Sequence, residues 1–189
     1  QGISSMIEYS DSSNIFYIQG KASFLNDLTG EGVLEKRKYF TYSLSSNIFI
    51  NKLLDYEKII LINGGFNYSN AKRNHSPDIF VQNVDFNNSI LDLGLELEII
   101  KNLHLLYGYK SINAQGLDYL SVRDDNFTIS SFQKFEINMK QNVSTIGLKY
   151  DFTKKSSLIL NYQNISCNYE YSELSFIINQ FFILAQIKF

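Results

Sequence analysis

His104 is the side chain best suited to chemistry in this chain, with Glu96 and Glu98 close by in sequence. An imidazole oriented by a carboxylate is the usual composition of a general base. No serine is placed to act as its nucleophile, and the same residue types also form charge networks that hold strands in register. We read the group as such a network. His75 lies in AKRNHSPD beside Lys72 and Arg73, a basic surface stretch whose backbone Pro77 restricts. Arg123, Asp124 and Asp125 bring two acids together but lack the spaced oxygen ligands of a calcium loop. Cys167 is the single cysteine, which excludes an internal disulfide and a cysteine metal cluster. The residues therefore predict no catalytic set, no metal and no cofactor. A net charge of -2 gives no attraction to nucleic acid.

The elements that carry these residues are strands. Leu91, Leu93, Leu95, Leu97 and Ile99 alternate with Asp92, Gly94, Glu96 and Glu98. Beyond Ile100, Lys101 and Asn102, the alternation resumes with Leu103, Leu105, Tyr107 and Tyr109 against His104, Leu106, Gly108 and Lys110. Strict period-two alternation is incompatible with an amphipathic helix. Matching like faces across a short loop sets Glu98 opposite His104 and Asp92 opposite Lys110, with Asn102 suited to the left-handed loop position. A second hairpin alternates Ile146, Leu148, Tyr150 and Phe152 with Thr145, Gly147, Lys149 and Asp151, then turns into Leu158, Leu160 and Tyr162.

Less regular strands are expected over 14–25, 36–50 and 58–70, and a closing strand over about 173–189. That makes eight. Taking 79–86 as a separate strand makes ten. Residues 1–10 are either a tail or an extra strand stub, with Ile3, Ile7 and Tyr9 in phase so that 2–9 makes a ninth strand. The connections alternate in length: 51–57, 100–102 and 153–156 are short, while 26–35, 71–87 and 113–140 are long and polar. A single domain spanning 1–189 is expected. Aromatics reach 15%, nearly all Tyr and Phe, with one proline and no tryptophan, which favours strands over helices.

Phe181, Ile183, Ile187 and Phe189 share one face of the closing strand, which ends the chain on an aromatic residue. This resembles the terminal insertion signal of bacterial outer-membrane β-barrels. The Asn, Ile, Lys and Ser bias and the start at Gln1, without a charged and apolar leader, resemble mature exported proteins of Bacteroidota; alternatively, the chain is the end of something longer.

The resemblance implies an all-β, antiparallel up-and-down transmembrane barrel of about eight strands, possibly ten, or the C-terminal part of a larger barrel. It places the protein in the outer membrane, in contact with the lipid bilayer, lipopolysaccharide, the barrel-insertion machinery and other outer-membrane proteins. Short turns then lie on the periplasmic side and long loops outside. Asp92, Glu96, Glu98, His104, Lys110, Lys149 and Asp151 become a lumenal charge network. Tyr119, Leu120, Arg123, Phe127 and Phe132 become a loop that meets a partner. The function this implies is that of a non-enzymatic structural or interaction subunit of a secretion, gliding or nutrient-uptake complex. The alternatives are the closing portion of a larger transport pore and a soluble lipocalin-like binding barrel.

Overall fold

The computed structural model describes residues 2–28, 35–75, 84–123, 129–153, 155–169 and 174–187. Nine strands lie in chain order in one sheet, each antiparallel to its neighbours: β1 Gly2–Ser10, β2 Phe16–Leu28, β3 Glu35–Phe49, β4 Ile60–His75, β5 Val84–Ile100, β6 Leu103–Arg123, β7 Ile129–Thr153, β8 Ser156–Tyr169 and β9 Phe176–Ile187. One helical turn, α1 Ile50–Leu53, joins β3 to β4. Among the described residues no helix is long and apolar enough to cross a membrane.

The strand count corrects the expected eight or ten, but the alternative of a ninth strand over 2–9 holds: residues 2–10 are no tail and pair with β2 from Gly2↔Leu25 to Ser10↔Tyr17. The serines at 4, 5 and 10 weaken the alternation there, but the ladder satisfies the backbone regardless of side chain. Val84 to Phe86 open β5 rather than forming a separate strand. The long connection expected over 113–140 is mostly strand, since β6 and β7 pair from Leu103↔Tyr150 out to Arg123↔Ile129.

The register aligns every strand so that one apolar band runs across the whole sheet. Ile7, Gly20, Leu44, Phe66 and Leu91 follow one another across β1 to β5; Leu97, Leu105, Leu148, Leu160 and Ile183 do so across β5 to β9. This face is open to its surroundings: Ile7 is 76% exposed, Leu93 47% and Ile183 65%. No second layer covers it among the described residues. The described residues that are buried, His104, Ala114, Gly147, Ser157 and Cys167, all lie on the opposite face. That face is the sheltered one.

Close packing on the sheltered face accounts for Gly147 but not for Gly108. Asn161 lies over Gly147, and a Cβ there would also meet the Leu160 carbonyl oxygen at 2.8 Å. A Cβ at Gly108 would meet the Thr145 Cβ at an ordinary 3.6 Å. Gly147→Ala is therefore expected to destabilise the fold by about 1–3 kcal/mol, and Gly108→Ala to leave it nearly unchanged. Thermal unfolding of the two variants side by side checks this.

One end of the sheet is tied together across its turns. Lys52 Nζ donates to the Asn14 carbonyl at 2.9 Å, Lys58 Nζ to the Ile99 carbonyl at 2.6 Å, and the Asp151 amide to the Asn102 carbonyl at 2.9 Å. Asn102 has φ 67°, the left-handed value expected for its turn. In the β1–β2 turn the Asp11 carboxylate accepts the amides of Phe16 at 2.7 Å and Ser13 at 3.1 Å. The Phe16 bond is the largest influence holding this carboxyl below the ordinary aspartate range. The turn is stabilised in full above that range, and this stabilisation is lost as pH falls through the depressed folded-state value. Protection of the Phe16 and Ser13 amides, corrected for the intrinsic pH dependence of exchange, should accordingly fall in acid in the native chain, and much less so in Asp11→Asn.

Candidate functional site

The most enclosed charges of the sheltered face lie at its short-turn end. β5 brings Glu96, the first residues of β6 bring His104, and the last residues of β7 bring Lys149 and Asp151. His104 pairs directly with Lys149 in the ladder, so Glu96 and Asp151 reach it diagonally from the two flanking strands. His104 Nε2 lies 3.2 Å from Asp151 Oδ2, and Nδ1 lies 3.0 Å from Glu96 Oε1. The second contact is off-axis for a hydrogen bond, so Nδ1 gains proximity to charge without a bonded partner. Lys149 Nζ bridges the same two acids, at 3.1 Å from Glu96 and 3.3 Å from Asp151. The histidine side chain is 3% exposed and the other three between 23% and 29%.

Both ring nitrogens of His104 therefore face carboxylates. A general base needs a free nitrogen within reach of the proton it takes. The arrangement instead joins three strands through two acids and two basic side chains.

Glu98 sits opposite His104 in register, as its spacing predicts. Its carboxylate, however, accepts the backbone amides of Ile59 at 3.2 Å and Asn102 at 3.1 Å, so it fastens turns. Asp92 and Lys110 meet as expected at 3.1 Å, but both are about half exposed. An ion pair in that setting adds roughly 0–1 kcal/mol. A polar pocket of about 440 Å³ opens beside the cluster, lined by Asn102, Lys149, Asp151, Ser157 and Gln186 among others. Among the described residues no group of three or more His, Cys, Asp and Glu side chains is arranged to hold a metal.

The residues expected to form a partner-contact loop are placed differently. Tyr119 and Leu120 are on β6 and Phe132 on β7, with Tyr119↔Lys134, Leu120↔Gln133 and Ser121↔Phe132 paired. Arg123 ends β6, and Phe127 lies outside the described residues. Backbone amides and carbonyls on both strands find partners by prolonging the hairpin, which is why this polar stretch is strand. In the closing strand, Phe181, Ile183 and Ile187 share the exposed face and are each about two-thirds exposed. Phe189 lies outside the described residues.

A second feature was not foreseen from the sequence. Toward the loop end, the apolar band gives way to a row of asparagines on the same face. Tyrosine hydroxyls from the band reach into that row: Tyr68 to Asn87 at 2.7 Å, Tyr109 to Asn142 at 3.0 Å and Tyr162 to Asn179 at 2.9 Å. Tyr42 stacks on Tyr68 with centroids 5.2 Å apart. At the other end Tyr150 and Phe152 form an edge-on pair at 5.0 Å. Rings in an apolar zone with hydroxyls in a polar one are suited to a boundary between oil and water. The signal in the sequence is Tyr and Asn in phase on adjacent strands, visible only once the register is known.

No family model matches the chain, and comparison with curated proteins and with solved structures finds no match.

Proposed function

We propose that this sheet is the wall of an outer-membrane β-barrel and that the protein is a non-enzymatic structural or interaction subunit of a larger outer-membrane assembly. The observation that carries the reading is the uninterrupted apolar band on the open face, bordered by tyrosines that hydrogen bond into a polar row. Monomeric soluble proteins rarely leave contiguous apolar patches larger than a few hundred Å² in water. Lipid makes such a surface favourable, and strands cross lipid only when their backbones are fully paired. On β5 the outward apolar residues run from Leu91 to Ile99. Eight steps correspond to about 27 Å of strand. A tilt of about 40° brings that to about 20 Å, near the height of an outer-membrane barrel's apolar band.

The enclosed charge cluster supports a structural role, because His104 and Lys149 both bridge acids carried by two different strands. The two edges, unpaired among the described residues, favour a second reading, in which the chain forms part of a wider transport pore. Extraction of the native protein from outer membranes in mild detergent tests the first. It expects a stoichiometric complex with other membrane proteins and no ion conductance from the isolated chain. Steady conductance in planar bilayers, without companions, would favour the pore. Recovery from the detergent-free soluble fraction would leave a soluble binder.

A further inference from the structure

All eight neighbouring strand pairs are antiparallel, so direction alternates along the sheet. β1 and β9 are both odd in this order and run the same way, toward the short-turn end. Among the described residues each has a paired neighbour on one side only. The apolar band does not fade at either edge. Ile3 and Ile7 on β1 are 77% and 76% exposed, and Phe181 and Ile183 on β9 are 66% and 65% exposed.

Soluble sheets protect such edges with charge, proline, bulges or short strands. β9 uses none of these: its twelve residues, FIINQFFILAQI, contain no charge and no proline, and its pairing with β8 has no register shift. β1 carries a single charge, Glu8, which is occupied by Gln19 and Tyr17. These edges are built to be covered.

The direction of the edges constrains what covers them. Direct closure of β1 on β9 would make a parallel seam in an otherwise antiparallel sheet. A second copy inserted in the same orientation would also meet either edge in parallel, because both edges point the same way. Parallel ladders are slanted and somewhat weaker per residue. One strand running from the short-turn end to the loop end satisfies both edges with antiparallel ladders at once.

We propose that the seam between β1 and β9 is occupied by a partner strand running opposite to both. Its alternate residues are apolar on the open face, to continue the band. This rests on the membrane reading above, since an open edge becomes untenable only where no water can satisfy its backbone.

The test uses the full chain in native membranes, with Cys167→Ala as background. Cysteines at Ile3, Ile7 or Tyr9 are combined with cysteines at Ile177, Phe181, Ile183 or Ile187, so that several registers are sampled under mild oxidation. Adjacent strands lie about 4.8 Å apart and strands separated by one other lie about 10 Å apart. A disulfide needs Cα atoms within about 7 Å. Amide exchange is read on the same membranes. The expected result is no β1–β9 disulfide, with the amides of both edges exchanging at least about 100-fold slower than in an open chain.

A disulfide within one copy would overturn the proposal in favour of direct closure, and one between copies in favour of self-association. Fast-exchanging edge amides would overturn it by showing the edges open. Absence of the chain from the membrane fraction is read separately, and would remove the membrane reading and this proposal together.

Discussion

Leu93→Arg is expected to destabilise the protein in a bilayer by about 2–4 kcal/mol, the cost of a basic side chain near the middle of a lipid-facing strand. Leu93 lies within the β5 run of Leu91 to Leu97 and is 47% exposed. In water, a substitution at so exposed a position would change stability by no more than about 0.5 kcal/mol. The two surroundings therefore differ by several-fold in the same measurement, reversible denaturant unfolding of the reconstituted protein. Ser45→Arg provides the control. Ser45 is exposed on the sheltered face opposite Gly65, and its replacement is expected to cost less than about 1 kcal/mol.

Lys149→Met is the other large effect. Removing the ammonium leaves Glu96 and Asp151 on either side of His104 with one basic side chain instead of two. Losing one partner of a fully buried pair costs about 3–5 kcal/mol, and these side chains keep about a quarter of their exposure, so a loss of about 1–3 kcal/mol is expected. Adding Glu96→Gln should recover part of it, because the second change removes the unmatched charge. Unfolding of both single variants and the double variant gives the coupling directly. Additive losses would mean that the contacts fix no strands.

How much of this was legible in the sequence depended on where a strand carries one apolar face and one polar face. The β5–β6 hairpin was readable because Leu91 to Ile99 and Leu103 to Tyr109 alternate without interruption, and its register followed, including Asp92↔Lys110 and Glu98↔His104. The distal halves of β6 and β7 were not. In residues 113–140 apolar and polar residues fall on both faces, so the period-two contrast that marks a strand disappears although the ladder continues. β1 was obscured in the same way by its serines.

The cluster was half legible for a related reason. Alternation placed Glu96, His104, Lys149 and Asp151 on one face, but their contacts depend on the β6–β7 register, which the polar stretch concealed. Glu98 shows the limit of register alone: it is opposite His104, yet its carboxylate turns to the backbone of two turns.

Contact of the open apolar face with lipid is read by single cysteines at positions 91 to 97 of β5, in a Cys167→Ala background and in native membranes. Each is reacted with a water-soluble maleimide and with a lipid-phase quencher through an attached fluorophore. Strict alternation is expected, with 91, 93, 95 and 97 quenched from the lipid and 92, 94 and 96 not. Ready reaction of the odd positions with the aqueous reagent, and no quenching from the lipid, would show that this face meets water.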